Sequence, residues 1–388
     1  MMGLSNALTT SRAFGKPSRR HWTGLDWTLI GVTSLLLLLG LVMITSASIT
    51  AAERTLGDPL YYFWRHLMHV TVGLLVAGLA TRLPLQNWDR TSVVLLALSL
   101  LTLLLVLFPG IGREVNGSVR WLGLGGVSVQ PSELLKLLMV LYVAGYLVRR
   151  REEVQGTWRG FLRPLVVLGL AVLLLLLEPD YGASVVLAVT VLGMLFLGGV
   201  PMSRFLGALL SVVGLFALMV LAAPYRLERL STFLHPWTDP FGSGFQLTQA
   251  LIAIGRGEWW GVGLGSSVQK LFYLPEAHTD FLFAVLAEEL GFLGIGMVVT
   301  AFTFLVWRAF GIAHRAERKG QAFAAHTAYG LGLLMGLQGF TNIGVNLGVL
   351  PTKGLTLPLM SYGGSSIVTS CLAIGLLLRI DWEARRGL

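Results

Sequence analysis

The sequence predicts an all-α polytopic integral membrane protein. Hydrophobic residues make up 54% of the 388 positions and charged residues only 13%. Soluble domains carry about 25% charged residues, so a water-facing surface cannot be built around this composition. The uncharged apolar runs are also far longer than a soluble core helix needs. These observations exclude a soluble enzyme, a disordered chain and a disulfide scaffold.

Ten stretches have the length and composition of transmembrane helices, each of which needs about 20 mostly apolar residues. The predicted spans are residues 27–48, 64–81, 91–109, 131–148, 162–178, 181–200, 204–223, 281–307, 322–346 and 356–378. We therefore expect one ten-helix membrane domain, residues 27–378, between an amino-terminal tail (1–26) and a carboxyl-terminal tail (379–388). The first apolar stretch begins late and is long enough to span, which predicts no cleavable signal peptide.

The positions of lysine and arginine predict the orientation. If the spans alternate in direction, 19 of the 29 Lys and Arg residues lie on the side of the two termini. Basic residues favour the cytoplasmic side, so both termini are predicted to be cytoplasmic. The net charge of +9 then reflects topology rather than nucleic-acid binding. The single cysteine, Cys371, excludes an intramolecular disulfide.

One loop, residues 224–279 between the seventh and eighth spans, is much longer than the others and is predicted to be periplasmic. It contains seven glycines and three tryptophans. Leu247, Leu251 and Ile254 recur at helical spacing, which predicts a short amphipathic helix at the membrane interface. Long loops are usually either functional or disordered. The glycine and aromatic content favours an ordered, functional loop.

The main candidate for chemistry is Asp280, at the outer mouth of the eighth span. A partly desolvated carboxylate there would suit a general base, whereas a helix N-cap explains the same position equally well. His278 is either a second base or a group that only hydrogen-bonds its neighbours. Glu288 and Glu289, further into the same span, would relay protons or pair with a buried cation. Pairing is expected for at least one of them.

Three further features carry polar groups near the membrane. Glu133 and Lys136 are three residues apart and predict an ion pair, either structural or lining a cavity for an anionic ligand, with the structural role favoured. The irregular segment 351–366, which includes Ser361 and Tyr362, has two prolines and three glycines. Such backbone at membrane depth lines a cavity or is buried in protein. Seven cations are predicted to face outward. They would either bind phosphate, whose geometry arginine matches, or pair with acids in the loops. They are Arg113, Arg120, Arg226, Arg229, Arg256, Lys270 and Lys353.

These features face one side of the membrane. A carboxylate combined with several cations at the outer interface suits a substrate with a lipid tail, a phosphate-bearing head and a proton to remove. An inward-facing ATP site would need a glycine-rich phosphate loop, and the sequence contains no Walker motif.

Five sequence blocks carry a resemblance to a known family. They are QPSELLK (130–136), PYRLERL (224–230), the block from Asp239 to Gly291, PTKGLTLPLMSYGGSS (351–366) and LLRIDWEAR (377–385). With them the chain closely resembles the SEDS family (shape, elongation, division and sporulation proteins) over essentially its whole length after the amino-terminal tail. The resemblance is closer to the cell-division member of that family than to the elongation member.

The resemblance implies a peptidoglycan glycosyltransferase that polymerises lipid II during septal cell-wall synthesis in cell division. Asp280 matches the family's essential aspartate, whose proposed role is to deprotonate the acceptor sugar. Glu133 and Lys136 match a polar pair in the family's central cavity. The residues we expect to bind the head group and pyrophosphate are Arg226, Arg256, Lys353, His278, Glu133, Lys136, Ser361 and Tyr362. No covalent cofactor is expected, and Mg²⁺ or Mn²⁺ would be a candidate cation for the pyrophosphate.

The resemblance also implies partners and a location. A class B penicillin-binding protein (an FtsI-like transpeptidase), other divisome membrane proteins and membrane lipids are expected at the inner membrane of the division septum, and no nucleic acid. Two alternative functions stay open at this point: a lipid II flippase or secondary transporter, and a non-catalytic divisome scaffold. The one-sided site and the lack of an internal repeat weigh against transport.

Overall fold

The computed structural model describes residues 24–115, 118–124, 127–221, 232–242, 244–271, 274–351 and 354–387. Most of these residues are helical. The helices are α1 (Trp27–Leu56), α2 (Tyr61–Arg82), α3 (Leu85–Val106), α4 (Pro131–Arg149), α5 (Arg151–Gly156), α6 (Trp158–Leu177), α7 (Tyr181–Leu197), α8 (Met202–Leu221), α9 (Phe245–Gly257), α10 (Leu282–Arg318), α11 (Ala322–Asn346) and α12 (Gly364–Arg386).

Every predicted span overlaps one of these helices. Within the described ranges, seven helices are long and apolar enough to cross a bilayer: α1, α2, α3, α4, α6, α10 and α12. The shorter apolar helical stretches are α7 and residues Met202–Leu218 of α8. This set of apolar helices makes the chain a polytopic membrane protein.

The helices divide into an inner and an outer group. In α4 and α7 most residues are buried, and both helices pack against α11. α2, α3 and α6 are buried on one face only. Their outer faces present large apolar side chains such as Leu75, Val94 and Val166, which are 60–69% exposed. Apolar surface of this extent is what the hydrocarbon of a bilayer covers.

A small antiparallel sheet corrects the all-α prediction. β1 (Gly112–Val115), β2 (Ser118–Leu124) and β3 (Val127–Val129) pair in the order β1-β2-β3 between α3 and α4. The three strands have only 4, 7 and 3 residues. Strands this short carry too little alternation for the sequence to reveal them. The sheet pairs the backbone groups of a loop that the membrane helices cannot pair.

The long loop contains α9, so the predicted helix around Leu247, Leu251 and Ile254 is confirmed. The buried face of α9 includes Leu247, Ala250 and Ala253, and the helix packs on α10. α9 therefore belongs to the folded body of the protein.

Two predicted spans need correction. α10 is not one regular helix, because Gly291 has φ 64° and ψ −160° and interrupts it. The tenth span begins later than predicted, at Gly364 instead of residue 356. Pro358 has no N–H to donate, and residues 354–363 form irregular backbone. Leu355, Leu357, Leu359 and Met360 are nevertheless buried, so this part of the broken segment packs inside the protein.

Candidate active site

Asp280 lies in the short segment that leads into α10. Its backbone carbonyl accepts hydrogen bonds from Nδ2 of Asn342 (2.9 Å) and of Asn346 (3.1 Å), both on α11. The Oδ1 atom of Asn346 also accepts from the backbone N–H of Ala284 (3.1 Å). These bonds hold the backbone of the segment against α11. The N-cap of α10 is Phe281, without a side-chain cap, so the interpretation of Asp280 as an N-cap is wrong.

The surroundings of Asp280 favour its protonated form. The pKa of this carboxyl is raised to about 7: burial is the largest cause, the negative charges of Glu276 and Asp180 also raise it, and Arg120 lowers it. A Cβ atom placed on Gly354 would lie 3.1 Å from Oδ2 of Asp280. Gly354, at the start of the irregular segment, therefore lies directly against the carboxylate. A pKa near neutrality is the value that suits a general base.

Arg120 was predicted to face the same side as Asp280, whereas Asp180 was not predicted to lie near it. Asp180 caps α7 by accepting from Ala183 N (3.1 Å), and its other oxygen accepts from Ser132 Oγ (3.3 Å). Arg120, on β2, donates to the backbone carbonyls of Glu178 (2.9 Å) and Pro179 (2.6 Å). The sequence signal that could have indicated Asp180 is the pair of acids, Glu178 and Asp180, at the short turn between the fifth and sixth spans.

His278 belongs to a group of aromatic side chains beside Asp280. The centre of its ring lies 4.6 Å from that of Tyr62 and 5.6 Å from that of Tyr362, whose backbone N–H donates to the carbonyl of His278 (3.0 Å). Burial lowers the pKa of His278, against the opposing influence of Glu276, so the imidazole is neutral at pH 7. Tyr62, on α2, is a residue of this group that sequence reasoning missed.

Ser361 stabilises the turn at residues 357–361 and does not face the candidate site. Its hydroxyl oxygen accepts from the backbone N–H of Leu357 (2.9 Å), and the residue is buried. Tyr362, the next residue, is partly exposed and reaches the aromatic group. The structure thus brings Tyr362 together with His278 and gives Ser361 a structural contact.

The predicted ion pair between Glu133 and Lys136 is confirmed. Lys136 Nζ lies 2.8 Å from Glu133 Oε1 and donates to Gln338 Oε1 (2.7 Å), while Gln338 Nε2 donates to the carbonyl of Thr356 (3.3 Å). The adjoining cavity has a volume of about 20 Å³, which holds about one water molecule. The pair therefore ties α4 and α11 to the irregular segment behind Asp280.

The expected pairing of at least one of Glu288 and Glu289 with a buried cation is confirmed for Glu289, and Glu288 pairs with a half-exposed arginine. Arg256 lies 3.2 Å from Glu288, and Lys270 lies 2.9 Å from Glu289. The structure thus places Arg256 at Glu288. Arg226 and Lys353 lie outside the described residues. Within the described ranges, no three His, Cys, Asp or Glu side chains are grouped so as to hold a metal ion.

A groove of about 830 Å³ opens between α1, the start of α2 and residues 264–271. Its walls include Val42, Ile49 and Leu264, and Ser46 and Lys270 contribute polar atoms. A groove of this size and lining suits an apolar chain.

The fold and the site define a class of protein: a polytopic helical membrane protein with a desolvated carboxylate at the mouth of a broken helix. The chain belongs to the FtsW/RodA/SpoVE family, whose family model, described as "Cell cycle protein", matches residues 26–386.

Relatives and solved structures agree with this assignment. A protein of Nitrosococcus halophilus named "Probable peptidoglycan glycosyltransferase FtsW" is 57% identical over 98% of this chain and 97% of its own length. A structure described as "Structural coordination of polymerization and crosslinking by a peptidoglycan synthase complex" has a TM-score of 0.74 and 32% identity, covering 94% of this chain and 99% of that one. The crystal structure of the Thermus thermophilus rod shape determining protein RodA has a TM-score of 0.67 and 30% identity, covering 93% and 98%.

The expected resemblance to the cell-division branch of the family is confirmed. Eight curated relatives that carry the FtsW name are 50–57% identical to this chain, whereas the RodA structure is 30% identical.

Proposed function

We propose that this chain is a peptidoglycan glycosyltransferase that polymerises lipid II into glycan strands during septal wall synthesis. The observation that carries the proposal is the carboxylate of Asp280, which does not cap α10 and whose pKa is raised to about 7, mainly by burial. Membership of a family whose relatives are named for this activity supports the same conclusion.

In the proposed reaction Asp280 takes the proton of the 4-hydroxyl on the acceptor's GlcNAc. The freed oxygen attacks C1 of the donor's MurNAc from the side opposite the leaving group. The bond from C1 to the pyrophosphate oxygen breaks, and undecaprenyl pyrophosphate leaves with the electron pair. The configuration at C1 inverts, and one sugar–sugar bond replaces one sugar–phosphate bond.

The charge that develops on the leaving pyrophosphate needs cationic or hydrogen-bonding groups. Arg120 is within electrostatic reach of Asp280, and Arg226 and Lys353 are the further candidates from sequence. A Mg²⁺ or Mn²⁺ ion would supply the same stabilisation when bound. The described residues form no metal-binding cluster, so no step here depends on an ion.

The neutral His278 and the hydroxyl of Tyr362 are the groups proposed to contact the head group. Both side chains are partly exposed beside the segment that carries Asp280. Glu133 and Lys136 support this site from behind, through Gln338 and the carbonyl of Thr356.

The topology proposed for this activity has ten transmembrane helices, both termini in the cytoplasm and residues 224–279 in the periplasm. Lipid II would then meet Asp280 at the outer leaflet of the inner membrane, at the division septum. Crosslinking requires a partner, for which a class B penicillin-binding protein of the FtsI type, within the divisome, is the proposed candidate. The similar structure of a complex that coordinates polymerization and crosslinking supports this choice.

The test is polymer formation by the purified chain reconstituted with its class B partner, whose transpeptidase serine is inactivated. Labelled lipid II is supplied, and products are resolved by length on a gel. Wild type is expected to produce glycan ladders and Asp280→Asn none. Asp58→Asn is the matched control, because it makes the same substitution at an exposed position. Ladders from Asp280→Asn would overturn the assignment of the base, and lipid II crossing liposomes without ladders would favour the transporter.

A further inference from the structure

The part of α10 that follows Asp280 is a separate half-helix. Gly291 interrupts α10, so residues Leu282–Leu290 form about two and a half turns that are not continuous with the rest of the span. From Leu282 to Glu289 each residue is completely buried. The position of Asp280 therefore depends on what orients this half-helix.

A loop from the periplasmic region is inserted into the break. In an uninterrupted helix, the carbonyls of Glu288 and Glu289 would accept from the N–H groups of Phe292 and Leu293. Here the two carbonyls accept from Val262 N (3.0 Å) and Gly263 N (3.1 Å). The N–H groups of Phe292 and Leu293 donate to the carbonyls of residues 258 (2.8 Å) and 259 (3.3 Å). All four backbone groups at the break are thus paired with the loop.

The insertion is close enough to require glycine on both sides. A Cβ atom on Gly261 would lie 2.1 Å from the carbonyl oxygen of Glu289, and one on Gly291 would lie 2.4 Å from the backbone nitrogen of Gly261. Both glycines also have positive φ. No side chain separates the loop from the helix at this point.

Two glutamates fasten the rest of the loop to the half-helix. The carboxylate of Glu288 accepts from the hydroxyl of Ser267, from Val268 N (3.1 Å) and Gln269 N (3.3 Å), and from Arg256 (3.2 Å). The carboxylate of Glu289 accepts from Lys270 (2.9 Å) and from Ser46 of α1 (2.6 Å). We call this arrangement of Glu288, Glu289 and their donors the glutamate clasp.

We propose that Glu288 and Glu289 are positioning residues for the catalytic base. The glutamate clasp holds residues 256–270 against the half-helix and so fixes the half-helix, with Asp280 at its start, against α11. The inference rests on the proposed function, since it takes Asp280 as the base. Neither glutamate lies at the carboxylate of Asp280, and each acts through the half-helix.

Loosening the clasp has a predictable electrostatic consequence. Among the residues that the structure describes, the charged and titratable groups that face Asp280 are Glu276 of its own segment, Asp180 at the start of α7 and Arg120 of β2. His278 lies in the same segment as Asp280. Burial is the main cause of the raised pKa of Asp280. When the half-helix moves, water reaches Asp280, so the pKa of Asp280 falls. The carboxylate of Asp280 is also out of its catalytic position in a larger fraction of the molecules.

The experiment compares Glu288→Gln with wild type and with Glu153→Gln, which removes ion pairs to Arg150 and Arg163 at an exposed site. Initial rates of lipid II polymerisation are measured over lipid II concentration and pH. For Glu288→Gln we expect kcat to fall about tenfold or more with KM changed less than about twofold, and the acidic limb of the pH profile to move to lower pH. For Glu153→Gln we expect wild-type behaviour. An unchanged kcat and pH profile for Glu288→Gln would overturn the inference.

Ser267→Ala keeps both carboxylates and removes one hydroxyl donor of the clasp, so it covers the case in which Glu288→Gln does not fold. A smaller loss of kcat with the same direction of pH shift is expected. Hydrogen–deuterium exchange separates this inference from the proposed function, because it needs no turnover. Faster exchange in residues 276–290 of Ser267→Ala supports the clasp, and exchange identical to wild type contradicts it, whether or not wild type produces glycan ladders.

Discussion

At the scale of single residues, the protonation state of Asp280 is set by its neighbours. Burial and the negative charges of Glu276 and Asp180 together raise its pKa to about 7, because burial and a second negative charge nearby both disfavour the charged form. A general base works only when deprotonated. The rate should therefore rise with pH through about 7, and it should fall below that value as Asp280 becomes protonated.

The substitution Glu276→Gln tests this account. It removes one negative charge that acts on Asp280 but keeps an oxygen that can accept the hydroxyl of Thr279. The pKa of Asp280 should fall, so the acidic limb of the rate profile should move to lower pH by a fraction of a unit. Steady-state polymerisation rates between pH 5.5 and 8.5, at saturating lipid II, are the measurement, chosen to bracket the value of about 7.

Glu152→Gln is the control for that profile, since Glu152 is exposed and distant from the outer face in the proposed topology. It should leave the limb in place. A limb that moves to higher pH in Glu276→Gln would contradict the proposed electrostatics.

Sequence reasoning found the residues whose signal is local. Asp280 stood out as a carboxylate at the mouth of an apolar run, and the spacing of Glu133 and Lys136 predicted their pair, which the structure confirms. Whether Asp280 was a cap could not be decided, because both alternatives place an acid before a helix. The contributions of Asp180, Arg120 and Tyr62 depend on helices and strands far apart in sequence. No spacing rule relates them to Asp280.

At the scale of elements, the break in α10 is a feature that hydropathy cannot predict. Residues 282–290 and the residues after Gly291 are both apolar, so the window average continues through the interruption. Glycine is common in membrane helices, and α10 contains several. What distinguishes Gly291 is the loop inserted beside it, which only the folded structure reveals.

The pair of substitutions Gly291→Ala and Gly296→Ala tests that distinction within one helix. Alanine at 291 would adopt φ 64° and meet the backbone of residues 259 and 261, whereas a Cβ at Gly296 meets nothing within 4 Å. A forced positive φ alone costs about 1–3 kcal/mol. We expect Gly291→Ala to lower the midpoint of unfolding in detergent and to abolish polymerisation.

Gly296→Ala should be neutral or stabilising by up to about 1 kcal/mol, because alanine is the better helix former. Circular dichroism followed during thermal unfolding compares the two variants. Equal midpoints would show that the break at Gly291 is not required.

At the scale of the whole molecule, burial divides the chain into inner helices around the site and outer helices facing lipid. Hydropathy predicted where all of these helices lie, because every one is apolar. It could not tell inner from outer helices, and it missed the strands between α3 and α4. Two polar side chains of the inner helices, Lys136 and Gln338, are paired with each other. Unpaired, they would be costly at membrane depth.

The proposed orientation of the whole molecule can be tested with single cysteines. The chain has one cysteine, Cys371, which is buried, so Cys371→Ala gives a background without thiols. Phe241 lies in the long loop and is 87% exposed, and Lys319 is exposed at the end of α10. Two variants, Phe241→Cys and Lys319→Cys, are therefore made in this background and treated with a maleimide that cannot cross membranes.

Phe241→Cys should react in intact spheroplasts, because the loop of residues 224–279 is proposed to face the periplasm. Lys319→Cys should react only after the membrane is permeabilised, since the basic end of α10 belongs to the side that carries 19 of the 29 lysines and arginines. The reverse pattern would invert the molecule. It would place Asp280 at the cytoplasmic leaflet, where a polymerase could not deliver glycan to the wall. The labelling result therefore tests the proposed orientation and the proposed activity together, because the activity requires Asp280 at the outer leaflet.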